Sequence, residues 1–522
     1  MANKSSNATK PNGKTKAETR TNGSKPKTNQ KQDNRNYKPR NNKYGSKGTP
    51  KDDASEVDMK SKTNDPGWYD VLSPQLIEDA AHVNFSWPAG MPIPTLTYDE
   101  GLLNANLMAL HSIPTIDYGA ARTAMWSIYS ELRSVNSGAK NYGPEDVFAA
   151  LINGTQMYSA LNWAIRFYTM ANMYNATNRA VPYAFFEAEG ADMMSFINNR
   201  ADYRAMLNTW IYKFGTVSLP NFMPIFAREA FLYQNIYTEG TDWKDQMYMF
   251  VPDMFWTVSL DYTAADKVSS AVVKVHADPT VKLTPTIVDS ILTALYTNTV
   301  QSESFNIISG DFAKMWPNNI INVSEIGPDL TIDPIFDEVV LEQIKNAKVY
   351  NVDIDTNKFT YAGTDFMYAP QATMSQFAQF VNDYRDVITT VKSDPKASDI
   401  VELTRLIPRF DVNGSFITAG SDLIRQVDFL TYNGALGTCD KFSKNDCAIH
   451  IGSSNNRLNL TKMTQFKYCP AFIVCDGSAS AYVYTGYLHS LDNFGVLDIT
   501  DIKSIHYAAM LNLYYVPSLI RK

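Results

Sequence analysis

The chain has 522 residues, 44% hydrophobic and 12% aromatic, enough apolar material for one large core or for two to three modest ones. Its net charge of −7 divides unevenly: residues 1–62 carry 16 Lys and Arg against 6 Asp and Glu, whereas residues 63–522 carry 31 against 48. An acidic body with a basic tail points to a polyanionic partner. No apolar run reaches the roughly 18–20 residues of a spanning helix, and no apolar stretch follows Met1, so the chain reads as soluble, cytoplasmic in synthesis and without a membrane anchor.

From Met1 to Pro50 there is no Ile, Leu, Val, Phe or Trp. Such a segment cannot bury enough surface to offset about 1–2 kcal/mol per residue of backbone entropy, which predicts a disordered basic arm over 1–62. Its cations stand singly: Lys4, Lys10, Lys14, Lys16, Arg20, Lys25, Lys27, Lys31, Arg35, Lys38, Arg40, Lys43 and Lys47. That spacing suits tracking an RNA or DNA phosphate backbone and carries no base-reading logic. A tail serving only solubility, an anionic membrane and nuclear import are the other readings. A solubility tail, however, has no reason to oppose the charge of its own body. A flexible coil of this length reaches roughly 45 Å, enough to leave a wall and sample the space behind it.

The character changes at Asn64. Trp68, Tyr69 and Trp87, framed by Pro66, Pro74 and Pro88, read either as an anchor where the chain enters its folded body or crosses to a partner copy, or as ordinary core aromatics. Gly143-Pro144-Glu145-Asp146 predicts a helix start, with Pro at the first position and acids at the positive dipole end. Val147, Leu151, Tyr158, Leu161, Ile165 and Tyr168 follow at helical spacing, with Gly154 on the same face as a candidate bend. Glu187, Glu189 and Asp192 beside Gly190 read as an exposed acidic loop. Met206, Leu207, Trp210, Ile211 and Phe214 predict another helix, and Thr284-Pro285 and Asp333-Pro334 start two more. Phe377, Phe380, Val381, Tyr384, Val387, Ile388 and Val391 form a broad helical stripe ended by Asp394-Pro395. Strands are expected at Lys348–Asp353 with Phe359–Tyr361, then at Gln465–Cys475 and Ala481–Leu488. The sum is a predominantly α-helical fold with minor β-structure (α+β), with no repeat period and no clear linker after residue 62.

Chemistry-bearing motifs are missing. G-x-S-x-G, G-x-x-x-x-G-K-[ST], H-E-x-x-H and G-x-G-x-x-G do not occur, and Gly310-Asp311-Phe312 does not replace the Gly-Asp-Asp of an RNA polymerase. His82, His111, His276, His450, His489 and His506 show no metal spacing and read as core or surface histidines. Cys439, Cys447, Cys469 and Cys475 contain no C-x-x-C pair, which favours buried reduced thiols over zinc, a disulfide being the alternative. Asp353-Ile354-Asp355-Thr356-Asn357 opens like a calcium loop. Lys358 stands where Gly is needed and Thr364 where a bidentate Glu is needed, so a β-turn is expected instead. The expectation is a protein with no catalytic residues, metal or cofactor.

Asn64-Asp65-Pro66-x-Trp68-Tyr69, Pro74-Gln75-Leu76, Asp79-Ala80-Ala81 and Phe85-Ser86-Trp87-Pro88-x-Gly90 resemble the start of the ordered region of picobirnavirus capsid proteins. Beyond residues 64–90 the likeness lies in length, charge layout and helical character. The resemblance implies a subunit with a shell moiety from 63–260 and 431–522, a projecting moiety from 261–430, and the arm over 1–62. It implies asymmetric homodimers, interlocked by exchange of elements, in an icosahedral T=1 shell around a segmented double-stranded RNA genome. The implied partners are the chain itself, viral RNA and an enclosed viral RNA polymerase, in a virion assembled in the host cytoplasm. In some members the arm is removed by self-processing, placed here near Asp52–Lys62. An acidic shell lining would repel phosphates and keep the duplex mobile. The alternatives are a partitivirus-like capsid, a nonviral RNA-binding protein with a basic tail, and an enzyme whose active-site residues are scattered along the chain. The RNA-binding protein needs base-stacking aromatics beside its charges, and the arm offers only Tyr37 and Tyr44.

Overall fold

The computed structural model describes residues 107–114, 118–138, 142–174, 180–240, 245–258, 270–347, 352–362, 365–372, 385–407, 409–410, 416–418, 422–432, 439–444, 468, 473–476, 483–487 and 493–515. All of them belong to one unit, Asn84–Lys522. The first elements are β1 (Leu107–Pro114), α1 (Tyr118–Val135), α2 (Pro144–Met173), α3 (Ala180–Ala188), α4 (Met193–Asn198), α5 (Arg200–Gly215) and α6 (Pro224–Gln234). Next come β2 (Tyr237–Thr238), β3 (Met247–Pro252), β4 (Met254–Val258), β5 (Ser270–Lys274), α7 (Pro285–Val300), α8 (Glu303–Met315) and α9 (Glu338–Asn346). The later part adds β6 (Val352–Ala362), β7 (Asp365–Ala372), β8 (Arg385–Thr390), α10 (Ala397–Leu403), β9 (Arg409–Phe410), β10 (Phe416–Thr418) and β11 (Asp422–Tyr432). It closes with β12 (Cys439–Lys444), β13 (Ile473–Asp476), β14 (Val483–Tyr487), β15 (Asn493–Asp498) and α11 (Ile499–Leu513). The fold is mostly helical α+β, as the sequence predicts.

Helix α2 organises the body. Pro144 opens it, and the Asp146 carboxylate accepts the Gly143 N–H at 2.8 Å, closing the first turn. Almost every side chain from Val147 to Ala171 is buried, on all faces rather than on one stripe. A helix that is apolar all round needs neighbours all round. Here α1, α3 to α8 and β4 supply them along a rod of about 45 Å. Gly154 serves this packing by close approach: a Cβ there would collide with Leu219 Cδ1, which is itself fully buried. Gly154→Val is therefore expected to cost about 1–3 kcal/mol of overpacking in a denaturant titration. An unchanged midpoint would show that the contact has slack.

The main sheet runs β12-β11-β1-β3-β2. Its central strand β1 is buried along its whole length, antiparallel to β11 and parallel to β3. A parallel pair needs a long crossover, and α1 to α6 provide it. One hydrophobic core joins β1, α2, β3, β4, α7, α8, α9 and the end of α11.

Three expectations are corrected. Val387 and Ile388 lie in β8, paired antiparallel with β15, and not in a helix. The run Val387-Ile388-Thr389-Thr390 is all β-branched, and such residues lose rotamer freedom in a helix. Phe377, Phe380, Val381 and Tyr384 fall outside the described residues. Asp333-Pro334 starts no helix: Ile335 bridges to Tyr237, and α9 begins at Glu338 with Asp337 accepting the Val340 N–H at 3.0 Å. Asp353-Ile354-Asp355-Thr356-Asn357 is not a turn between strands, because β6 runs through it and pairs with β7, with a register irregularity between Asp353 and Lys358. The expected strands at 465–475 and 481–488 appear in shorter form as the antiparallel pair β13 and β14.

Candidate functional site

Buried charge is concentrated where segments distant in sequence meet. His111 on β1 lies between two carboxylates, with Nδ1 2.8 Å from Asp253 Oδ1 and Nε2 2.7 Å from Asp428 Oδ2. Asp253 follows β3 and Asp428 lies on β11, so one imidazole ties together three strands. With an ionised carboxylate at each ring nitrogen, both nitrogens donate and the ring is an imidazolium. Arg425 pairs with the second oxygen of Asp253, which balances two cations against two anions. Burial alone would raise the Asp253 carboxyl, but His111 and Arg425 hold it well below the usual carboxylate range. Ser112, next in sequence, bonds Tyr233 Oη at 2.9 Å. The cluster therefore presents no activated nucleophile. Its chemistry is that of a staple.

A second staple crosses from α2. Arg166 and Glu189 are both fully buried and ion-paired, and Arg166 also donates to the Phe250 carbonyl on β3 at 2.7 Å. The other oxygen of Glu189 accepts Trp163 Nε1–H at 3.0 Å. This corrects the expected exposed acidic loop. Gly190, at φ +62, turns the chain back so that its carbonyl accepts the Leu283 N–H, and Glu189 is carried inward. Of its expected companions, Glu187 pairs with Lys282 at 2.8 Å and Asp192 caps α4.

A third cluster joins α10 and α11. Arg405 Nη2 lies 3.0 Å from His506 Nδ1, and His506 Nε2 donates to the Ile407 carbonyl at 2.8 Å. Burial, then the Arg405 charge, pushes the His506 imidazole down to about 3. The unfolded chain takes up this proton first, at about 6.5, so stability contributed by neutral His506 is lost as pH falls from there toward about 3. Asp146 works in the opposite sense: burial raises its carboxyl to about 6, which favours the fold as pH falls through that value toward the ordinary carboxylate range. The melting temperature is expected to fall on acidification from pH about 6.5, and to fall less in His506→Asn. Equal slopes for the two proteins would refute this assignment.

The structure places the sequence-predicted sites as follows. The arm cations from Lys4 to Lys47, the anchor Trp68, Tyr69 and Trp87, and the stretch Asp52–Lys62 lie outside the described residues, as do the side chains of all four cysteines and of His82, His450 and His489. His111 and His506 are core histidines, as expected, but each is a hydrogen-bonded junction. Among the described residues no group of His, Cys, Asp and Glu is arranged to hold a metal ion. No described helix is long and apolar enough to cross a membrane.

The described fold is a single long buried helix, ringed by helices and stapled to a mixed sheet. It is similar to the X-ray crystallographic structure of the picobirnavirus capsid, with a TM-score of 0.69 and 21% identity over 88% of this chain and 99% of that one. The capsid protein precursor of Human picobirnavirus (strain Human/Thailand/Hy005102/-) is 22% identical over 556 residues, 94% of this chain and 98% of that protein. The family model for the picobirnavirus capsid protein matches residues 68–378, beginning at Trp68 inside the stretch that carries the resemblance. The chain belongs to the picobirnavirus capsid protein family, and is a structural protein of the virion.

Proposed function

We propose that this chain assembles with itself, through asymmetric interlocked homodimers, into a closed icosahedral T=1 shell that encloses a segmented double-stranded RNA genome and its polymerase, in the host cytoplasm. The observation that carries this reading is the end-to-end likeness of fold to a picobirnavirus capsid, which covers 99% of that chain. The thirteen arm cations would recruit RNA without regard to sequence, and Trp68, Tyr69 and Trp87 would pin the chain where the arm meets the shell or a partner. Self-processing near Asp52–Lys62 belongs to the same reading. We place the shell moiety in 63–260 and 431–522 and the projecting moiety within 261–430. Because α7, α8 and α9 share the core of α2, the projecting part is best sought toward the second half of that span.

Expression and imaging test the shell: uniform closed particles are expected, and a chain that stays monomeric at high concentration would sink it. Deleting residues 1–62 tests the arm. Particles should still form, with far less encapsidated RNA. The salt dependence of RNA binding should also flatten, by about 0.9 in logarithmic slope for each phosphate that is no longer neutralised. Undiminished RNA content would remove the arm from this role.

A further inference from the structure

The seam between β1 and β11 is irregular at His111. The antiparallel register steps from His111 opposite Gln426 to Ser112 opposite Ile424, which makes Arg425 an extra residue on β11. A bulge of this kind disrupts the ladder locally and re-aims the inserted side chain. Here Arg425 reaches Asp253, just past the end of β3. Where the backbone ladder is interrupted, the charge cluster joins the two strands instead.

That junction depends on one proton. His111 can donate at 2.8 Å to Asp253 and at 2.7 Å to Asp428 only while its ring carries two N–H groups. A neutral ring has one N–H, so its other nitrogen turns a lone pair toward a carboxylate, in a site where all three side chains are 5% exposed or less. Both links end on β11, directly through Asp428 or by way of Asp253 and Arg425. The charged groups nearby are engaged elsewhere. Asp428 stands opposite Ala109 of β1 and Ser443 of β12, both uncharged. At the start of β11, Asp422 pairs with Arg228 of α6 at 3.0 Å, beside Glu229, and Tyr233 of α6 bonds Ser112. Tyr248 of β3 bonds Glu239, and β4 carries no ionisable residue. Helix α3, packed on β1 and β11, brings Tyr183 and Glu187, and Glu187 pairs with Lys282.

We propose that His111 is a protonation switch for the sheet: at alkaline pH the ring gives its second proton to water or hydroxide, and β11 comes away from β1 while the helical body around α2 stays folded. The switch is a property of the subunit, assembled or not. The unfolded chain gives up this proton at about 6.5. The folded chain holds it longer, because two carboxylates in contact with the ring favour its charged form. The same coupling shows on the other partner: burial would raise the Asp253 carboxyl, but His111 and then Arg425 hold it well below the ordinary range. Stability contributed by the proton is therefore full below about 6.5 and is lost as pH rises from there through the higher folded value. Opening is local because the strand pair and its cluster form one cooperative unit, distinct from the all-round packing of α2.

The test is hydrogen–deuterium exchange of the full chain, with labelling times scaled to cancel the base catalysis of exchange itself. Above about pH 6.5 the opening equilibrium of β1 and β11 should rise by about tenfold per pH unit, until the folded ring loses its own proton, while α2 stays protected. Asp428→Asn sets a neutral amide opposite Nε2, so a neutral ring can donate to Asp253 and accept from the amide. Protection of its β1 and β11 should then change little with pH. Wild-type strands that keep their protection to about pH 10 would overturn the switch, as would a loss shared equally by α2. An Asp428→Asn chain with the wild-type slope would place the titrating group elsewhere and overturn it too. Should that variant fail to fold, the ring-nitrogen resonances of the wild type labelled at its six histidines decide alone. One ring keeping both N–H groups above about pH 8 is expected, and six neutral rings there would refute the proposal.

Discussion

His111→Leu is expected to cost about 3–5 kcal/mol of folding stability, a large share of the total of about 5–15 kcal/mol typical of a domain. The substitution fills similar space but removes the cation from between Asp253 and Asp428, whose side chains are 5% and 0% exposed. Arg425 can still satisfy one oxygen of Asp253, and Gln426 still donates to Asp428 Oδ1 at 2.6 Å. The second oxygen of Asp428 loses the donor given by His111 Nε2, and the cluster is left with one cation for two anions. Adding Asp428→Asn to His111→Leu removes the unpaired charge and should recover part of the loss. Denaturant titration of the two variants measures this directly. If His111→Leu alone loses less than about 1 kcal/mol, His111 is a packing residue and not the staple argued here. Because the cluster joins β1, β3 and β11, the loss should reach the proposed shell as well: a subunit that cannot hold β11 against β1 cannot present a fixed surface to another copy.

The sequence showed the helices better than the sheet, for a physical reason. Pro144, the Met206 to Phe214 stripe and Thr284-Pro285 carry start signals and one-sided periodicity, and each lies in a helix of the structure. Strands β1, β3 and β4 went unpredicted because they are buried on every residue, so LMALHSIP, MYMFVP and MFWTV show no alternation. Pairing over hundreds of residues, such as Leu107 with Leu430, leaves no local trace at all. The staples were hidden for the same reason, although each left a faint signal. Arg166 interrupts the apolar run Trp163-Ala164-Ile165-x-Phe167, and His111 interrupts Leu107-Met108-Ala109-Leu110-x-x-Ile113. A charge inside an otherwise apolar run needs a buried partner. Only the fold says which one: Glu189, 23 positions away, and Asp428, 317 positions away. The expected RNA-binding and anchor residues rest on composition and resemblance alone, and they lie outside the described residues.

Arg166→Met should cost a similar amount, about 3–5 kcal/mol, for a related reason: it strands Glu189 in a dry site. Both partners are fully buried, and the guanidinium also serves the Phe250 carbonyl, so three groups lose their arrangement at once. Glu189→Gln should be milder, since its side-chain oxygen can still accept from Trp163 Nε1 or from Arg166, although one guanidinium is left without its counter-ion. The informative variant is the double one. Arg166→Met with Glu189→Gln leaves no net buried charge, a side chain of similar length on α2 and an acceptor for Trp163. A buried ion pair replaced by neutral groups of similar volume often costs little. The double variant should therefore be more stable than Arg166→Met alone, with a coupling of about 0.5–3 kcal/mol in the cycle. Additive losses would mean that the pair is incidental and that Arg166 matters only through the Phe250 carbonyl. Coupling of the expected size would show that this pair holds Gly190 and its turn against α2, and so fixes the helical layer on which the sheet and its His111 staple rest.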